Sequence, residues 1–389
     1  MSTALRRLLM PALALITAFV VGAFLLVVTD VEHLSKLGTD PLGAIGGALD
    51  VVVRGYWAML TGSIGDIGQI VRAVQSGTER DIARAIRPAT EALLSATPII
   101  FVTLGVGLAL HARLFNFGAD GQFAMGGLGA LVGGTLLAGV LPEPIVLVLA
   151  IVSGTLFGAA YGFLPGLLKA RTGAHEVITT LMLNTIAAQL IIYVTRSFKF
   201  RPQTQLPSVP RIFDLETIRV DWGLAAALAM AVIVSFLLFR TTLGFELRAI
   251  GYSRTAARSA GMRPGRGTVL ALSMSGGIIG MGGAFLTLGP AGGLSGSGAG
   301  LVALALALIA GLRPSGIVLA CLLFGALSNG AKAMVIVTGT PLDILTVVVA
   351  IAVMFVAAPS LIRTIWRLKP NTVDDDPATF RPTADVSPL

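Results

Sequence analysis

The sequence predicts an all-α, polytopic membrane protein of about ten transmembrane helices, and three observations carry that prediction. Hydrophobic residues make up 55% of the 389 and charged residues only 12%, with a mean hydropathy of +0.87. A soluble domain of this size needs far more charge to cover its surface. The apolar residues gather in runs, most of them near the 20 helical residues that cross about 30 Å of hydrocarbon. Arginines and lysines collect in short connections between those runs, the pattern of cytoplasmic loops. One cysteine, Cys321, leaves no disulfide framework, and His33, His111 and His175 are too scattered to read as a metal cluster. The pI near 10.2 follows from a basic cytoplasmic face and does not require nucleic acid as a partner.

The first element is the run from Leu8 to Val28, behind Arg6 and Arg7. It imitates a secretory signal, but it is long enough to span, and Thr29-Asp30-Val31-Glu32 is a poor cleavage site. Residues 1–28 therefore read as a retained transmembrane helix. Residues 29–88 read as an outer-side loop with amphipathic helices, although the glycine-broken stretch 42–75 also suits an additional membrane-embedded pair.

A core over 89–362 follows, with apolar segments near 89–110, 122–141, 144–168, 175–196, 222–239, 267–289, 300–312, 316–338 and 342–362. The 300–312 segment is too short for a full span and reads as a partly inserted helix. Starting inside, ten spans put both termini in the cytoplasm. Arg113, Lys169, Arg171 and Arg313 then fall on inner connections nearly free of acids, as the positive-inside rule asks. The loop 197–221, with Pro202, Pro207 and Pro210, reads as an extended outer cap. Residues 363–389, with Asp374-Asp375-Asp376 and several prolines, read as a disordered cytoplasmic tail.

Glycine spacing predicts how spans pack. Gly154, Gly158, Gly162 and Gly166 recur every fourth residue, and Gly276, Gly277, Gly280, Gly282 and Gly283 crowd a later span. Small-residue ridges let helix backbones approach closely, since apolar side chains gain little against lipid.

Ionisable groups are nearly absent from the predicted spans. Lys332 is the clearest exception and lies close enough to a helix end to snorkel. Proton-coupled carriers usually need buried acid or histidine relays, which the spans lack; sodium coupling through carbonyls and hydroxyls stays open. The glycine-rich stretch GPAGGLSGSGAG at 289–300 lacks the Gly-Lys-Ser/Thr ending of a nucleotide-binding loop. If ATP drives this chain, another subunit binds it.

Two polar clusters interrupt the apolar pattern. LFNFGADGQ at 114–122 holds Asn116, Asp120 and Gln122, either as a capped inner turn or as an irregular element beside a pathway. HEVITTLMLNTIA at 175–187 puts Thr180 and Asn184 one turn apart on one face. They serve either interhelical hydrogen bonding or a polar wall for a hydroxylated or heterocyclic solute.

The third feature is RTTLGFELRAIGYSRTAARSAGMRPGR at 240–266, where six arginines face one acid, Glu246. Charge alone makes it a cytoplasmic anchor. Gly244, Leu247, Ala249, Ile250, Ala256, Ala257 and the terminating Gly261 also give a short helix a small apolar side, suited to another protein's groove.

This string closely resembles the cytoplasmic coupling segment of ABC-importer permeases of the branched-chain amino acid, ribose and nucleoside group. LFNFGADGQ resembles the Leu-Phe-Asn-Ile-Gly-Ala-Glu-Gly-Gln signature of their nucleoside and simple-sugar branch, with Phe117 replacing Ile and Asp120 replacing Glu. The 175–187 run and the later glycine-rich segment resemble further signatures, so the likeness spans roughly 85–362. It implies a type II-like importer permease in the bacterial plasma membrane, itself non-catalytic and without a cofactor. The partners it implies are ABC ATPase subunits that use ATP, a second permease chain and an extracytoplasmic solute-binding protein. It makes Asn116, Gln122, Thr180 and Asn184 candidate path residues. Gly244, Glu246, Arg248, Ala249, Gly251, Ala256, Ala257 and Gly261 become candidate ATPase-coupling residues, with Gly251 and Ala257 offering the small surface that docks. Nucleosides or simple sugars are the expected solutes; branched-chain amino acids, or ion-coupled transport, are the alternatives.

Overall fold

The computed structural model describes residues 3–36, 38–197, 206–212, 218–290, 298 and 300–339, with 347, 351, 355 and 364–367. The expected span 342–362 and the tail fall almost wholly outside the described residues. The helices are α1 (Thr3–Thr29), the single turn α2 (Val31–Leu34), α3 (Pro41–Ile64), α4 (Ile67–Ser76), α5 (Glu79–His111), α6 (Ala119–Leu137) and α7 (Glu143–Thr172). They continue with α8 (Glu176–Ser197), α9 (Trp222–Arg240), α10 (Thr242–Tyr252), α11 (Arg254–Ser259), α12 (Pro264–Leu288), α13 (Gly300–Ile309) and α14 (Pro314–Thr338). Among the described residues the one β-type pairing is an isolated antiparallel bridge between Arg211 and Asp221. Six helices, α5, α7, α8, α9, α12 and α14, are long and apolar enough to cross a membrane. The chain is a multi-pass membrane protein.

Helix boundaries follow local chemistry. Pro264 and Pro314 open α12 and α14 at the first turn, where a missing N–H costs nothing. Gly173 and Gly339 end α7 and α14 in the left-handed conformation that a side chain disfavours. The expected segment 122–141 is displaced: its helix starts at Ala119 and stops at Leu137. The short 300–312 segment holds only the ten-residue α13.

The interior is built around α5 and the glycine faces. Phe101, Leu104 and Leu108 of α5 are fully enclosed with Leu272 and Ile279 of α12 and Ile317 of α14. The two predicted ridges meet each other. A Cβ on Gly158 would lie 2.6 Å from the Cα of Gly280, and one on Gly276 would lie 3.0 Å from the Cα of Gly162. The opposite side of α7 exposes Val148, Val152, Leu156 and Phe163, as a lipid-facing surface does. Helix α6 is enclosed by α7, α8 and α12 and buries thirteen of its nineteen residues.

Residues 42–75 form α3 and α4, and α3 lies along α14. Ser63 Oγ donates to Ala326 O at 2.7 Å, and Asn329 Nδ2 donates to Gly62 O at 2.9 Å. The other side of α3 exposes Leu42, Ile45, Leu49, Val53, Trp57, Leu60 and Ile64 at helical spacing. The segment before α9 folds over the end of α12, where Val209 N donates to Leu288 O at 2.8 Å.

Candidate functional site

The first site is the start of α6. Helix α5 ends at His111, and residues 112–118 then turn back into the bundle instead of crossing its edge. Asn116 Nδ2 donates to Ser275 Oγ at 2.8 Å, and Ser275 Oγ donates to Gly105 O at 2.7 Å. Ser275 is eleven residues into α12 (275 − 264), or about 16 Å from its start at ~1.5 Å per residue. Gly105 is six residues (111 − 105) before the end of α5, or about 9 Å. Helix α6 therefore begins deep in the bundle. Irregular backbone is tolerated at such depth only when protein satisfies its polar groups.

Protein does satisfy them here. Asn116 and Gln122 pair their amides reciprocally at 2.8 and 3.2 Å, and Gly118 N donates to Asn116 Oδ1 at 3.1 Å. Across on α8, Asn184 Nδ2 donates to Phe117 O at 2.8 Å while its Oδ1 accepts from Gly121 N at 2.8 Å. Thr180 Oγ1 donates to Glu176 O at 2.7 Å. A Cβ on Gly118 would come within 3.0 Å of the Thr180 Cβ. The structure thus brings Asn116, Gln122, Thr180 and Asn184 into one polar knot. Asn116, Gln122 and Thr180 are buried, and Asn184 is partly exposed. Lys169 and Glu176 form an ion pair that ties the end of α7 to the start of α8.

Asp120 is also placed at depth. Its Oδ1 accepts from Gly300 N, the first residue of α13, at 3.3 Å. An anion at a helix start is favoured by the unpaired N–H groups and the helix dipole. The sequence left 114–122 open between a capped turn and an irregular element, and the bond to Gly300 on another helix is not visible in it.

The second site is the basic connector, which folds as α10 and α11. Thr241 Oγ1 accepts from Gly244 N at 3.1 Å and starts α10; Ser253 Oγ accepts from Ala256 N at 3.2 Å and starts α11. Gly261, at φ +82°, stands in the left-handed region that favours glycine. The candidate residues divide between two faces. Gly244, Gly251 and Ala257 are buried, Arg248 and Ala249 are half-buried, and Glu246, Ala256 and Gly261 are exposed.

Gly251 and Ala257, expected to offer the docking surface, are buried within this chain. A Cβ on Gly251 would lie 3.1 Å from the Cα of Ala112, and one on Gly244 would lie 2.6 Å from the Cα of Leu238. These glycines let α10 press against this chain's own α5 and α9. Arg248 turns inward as well, its guanidinium 5.2 Å from the centre of the Phe239 ring, and Arg254 donates to Thr268 Oγ1 at 2.7 Å. The outward surface carries Phe245, 57% exposed, and Tyr252, 83% exposed. Seven residues apart, they lie on one helical stripe. That spacing was visible in the sequence, but the small residues drew the reading first.

The family described as branched-chain amino acid transport system / permease component matches residues 89–358. The chain is 32% identical over 348 residues to the guanosine ABC transporter permease protein NupP of Bacillus subtilis, covering 83% of this chain and 92% of that protein. It is 28% identical over 386 residues to the nucleoside ABC transporter permease protein NupB of Lactococcus lactis subsp. cremoris, covering 94% of each. It is 31% identical over 292 residues to the glucose ABC transporter permease protein TsgB13 of Haloferax volcanii, covering 68% of this chain and 75% of that one.

Proposed function

This chain belongs to the permease-component family of branched-chain amino acid transport systems, and from that premise we propose that it carries a nucleoside or simple sugar inward across the plasma membrane. It is the membrane-spanning permease subunit of an ABC-type transporter. The observation that carries the solute reading is the 32% identity to a guanosine permease over nearly that whole protein. The likeness to a glucose permease keeps the class at ring-shaped, hydroxylated solutes.

In this reading a separate ATPase supplies the energy, since this chain has no nucleotide-binding loop. A second permease chain and an extracytoplasmic binding protein complete the assembly. The connector α10–α11 and both termini face the cytoplasm, following the arginine bias. The exposed stripe of Phe245, Glu246 and Tyr252, continued by Ala256 and Gly261, docks on the ATPase. Gly244, Arg248 and Gly251 hold the connector against α5 and α9, and Ala249 and Ala257 lie on its less exposed side, so that movement of the ATPase reaches the bundle. Asn184 borders the path, while Asn116, Gln122 and Thr180 hold the start of α6 against α8 and α12.

The test of the solute class is uptake by the complete assembly in proteoliposomes, with guanosine, glucose and leucine as separate labelled solutes. Guanosine or glucose uptake that saturates, without leucine uptake, is the expected result. Leucine uptake alone would replace this reading with an amino acid permease.

A further inference from the structure

A chain of contacts joins the connector to the start of α6, and it passes through His111, the last residue of α5. Phe239, one residue before the end of α9, has a partner on either side. The Arg248 guanidinium of α10 stands 5.2 Å from its ring centre. The His111 ring meets it edge-on, with 5.8 Å between centres and 89° between planes. The backbone of α10 closes on the same point, since a Cβ on Gly251 would run into His111 O. Connector, α9 and α5 thus meet at one imidazole.

That imidazole also holds a fourth element. His111 Nε2 lies 3.1 Å from Leu312 O. A carbonyl only accepts, so Nε2 carries the hydrogen and donates it. Leu312 closes α13: its N–H donates to Ala307 O at 2.9 Å, and Gly311 N donates to Leu308 O at 3.0 Å. Both residues stand at φ +59°, a conformation that suits glycine and strains leucine. A leucine stays there only where its surroundings hold it, and the bond from His111 to its carbonyl is such a hold.

Helix α13 is therefore fixed at both ends. Its ten residues make a rod of about 15 Å at ~1.5 Å per residue. One end is the turn held by His111. The other is Gly300, whose N–H donates to Asp120 Oδ1 at 3.3 Å, two residues before Gln122 of the polar knot. Coupling between distant sites travels through packed side chains, hydrogen bonds and rigid elements of this kind. We propose that His111 is a positioning residue for energy coupling, which passes movement of α10 through the Leu312 turn and α13 to the start of α6. The relay rests on the reading of α10–α11 as the segment that docks on the ATPase, and adds to it the route by which that movement reaches the polar knot.

The test uses the complete transporter in proteoliposomes and reads ATP hydrolysis and solute uptake on the same sample. The solute is whichever of guanosine and glucose the wild type takes up. His111→Phe keeps a ring against Phe239 and removes the donor to Leu312 O, whereas His111→Gln returns a donor of similar reach. His111→Phe should bind the ATPase and hydrolyse ATP within about twofold of wild type, while uptake per ATP falls at least tenfold. His111→Gln should bring uptake per ATP back to within about threefold of wild type. Asp120→Ala removes the acceptor at the far end of α13 and should uncouple in the same way. Joined to His111→Phe it should add less than twofold, because both changes cut one chain. A wild-type ratio in His111→Phe overturns the relay. So does loss of ATPase binding and hydrolysis together with uptake, which makes His111 a packing residue only. Losses that multiply in the double variant, or a glutamine no better than phenylalanine, overturn it too. Each of these leaves the functional reading intact, whereas a wild type that takes up neither solute with ATP refutes that reading itself.

Discussion

Tyr252→Ala is the sharpest probe of the connector. The side chain is 83% exposed on α10, outside every candidate span, so its loss should not disturb folding of the bundle. A tyrosine buries on the order of 200 Å² when fully enclosed. Covering the exposed fraction at ~25 cal/mol per Å² gives an upper bound of about 4 kcal/mol. Its hydroxyl and imperfect coverage reduce this to about 2–3 kcal/mol, an ordinary value for an aromatic hot spot. At about 1.4 kcal/mol per factor of ten, the ATPase should bind roughly 30- to 140-fold more weakly. Phe245→Ala, starting from 57% exposure, should lose somewhat less. The assay is titration of the detergent-solubilised permease with the purified ATPase, with Tyr193→Ala on α8, a 65% exposed aromatic, as the control. Loss of affinity in the two connector variants and not in the control is the expected pattern. Affinities within twofold of wild type for both would refute the docking stripe and reduce α10–α11 to a topological anchor.

Further outcomes follow from the same geometry. Gly251→Leu should lower the thermal midpoint in detergent, because its side chain meets the backbone of Ala112 and overpacking costs about 1–3 kcal/mol. Gly158→Ala should do the same at the α7–α12 crossing, where the added Cβ would lie 2.6 Å from a backbone carbon of Gly280. Asn116→Leu leaves Gln122 without its amide partner and removes a donor to Ser275; at about 1–3 kcal/mol per orphaned group, it should destabilise the protein and abolish uptake. Burial raises the pKa of Asp221, although the bond from Gly223 opposes the shift. As pH falls, Asp221 should therefore take up its proton sooner than an exposed aspartate, and because the folded state binds that proton more readily than the unfolded one, the thermal midpoint of the wild type should gain relative to Asp221→Asn. For orientation, Ser253→Cys should resist an external thiol reagent while Ser208→Cys reacts; the reverse would invert the topology.

Much of the fold was legible because membrane packing writes itself into sequence. The glycine ridge of α7 announced a close crossing, since only absent side chains allow it, and its partner on α12 met it. The short 300–312 segment could not span, and only α13 forms there. The depth of Asn116 was left open: its local pattern fits a turn or an irregular element, and its bond to Ser275, which donates in turn to Gly105 O, places it inside the bundle. Helix α3 was ambiguous because its buried side uses Ala44, Ala48, Gly55 and Ser63, which packing favours and hydropathy undervalues. Which side of α10 packs on this chain was not legible, because helical periodicity defines a face without saying what covers it. The pairing of Glu91 with Arg219 was hidden for a simpler reason. Glu91 and Arg219 stand 128 residues apart, and nothing local marks either as the other's partner.

The central claim, that this permease works only through a separate ATPase, is tested most directly by uptake in proteoliposomes with and without that subunit. Permease, ATPase and binding protein together should accumulate labelled guanosine or glucose when ATP is present on the ATPase side, and a non-hydrolysable analogue should give none. The permease alone should accumulate nothing under a proton or sodium gradient. Robust gradient-driven uptake by this chain alone would contradict the account.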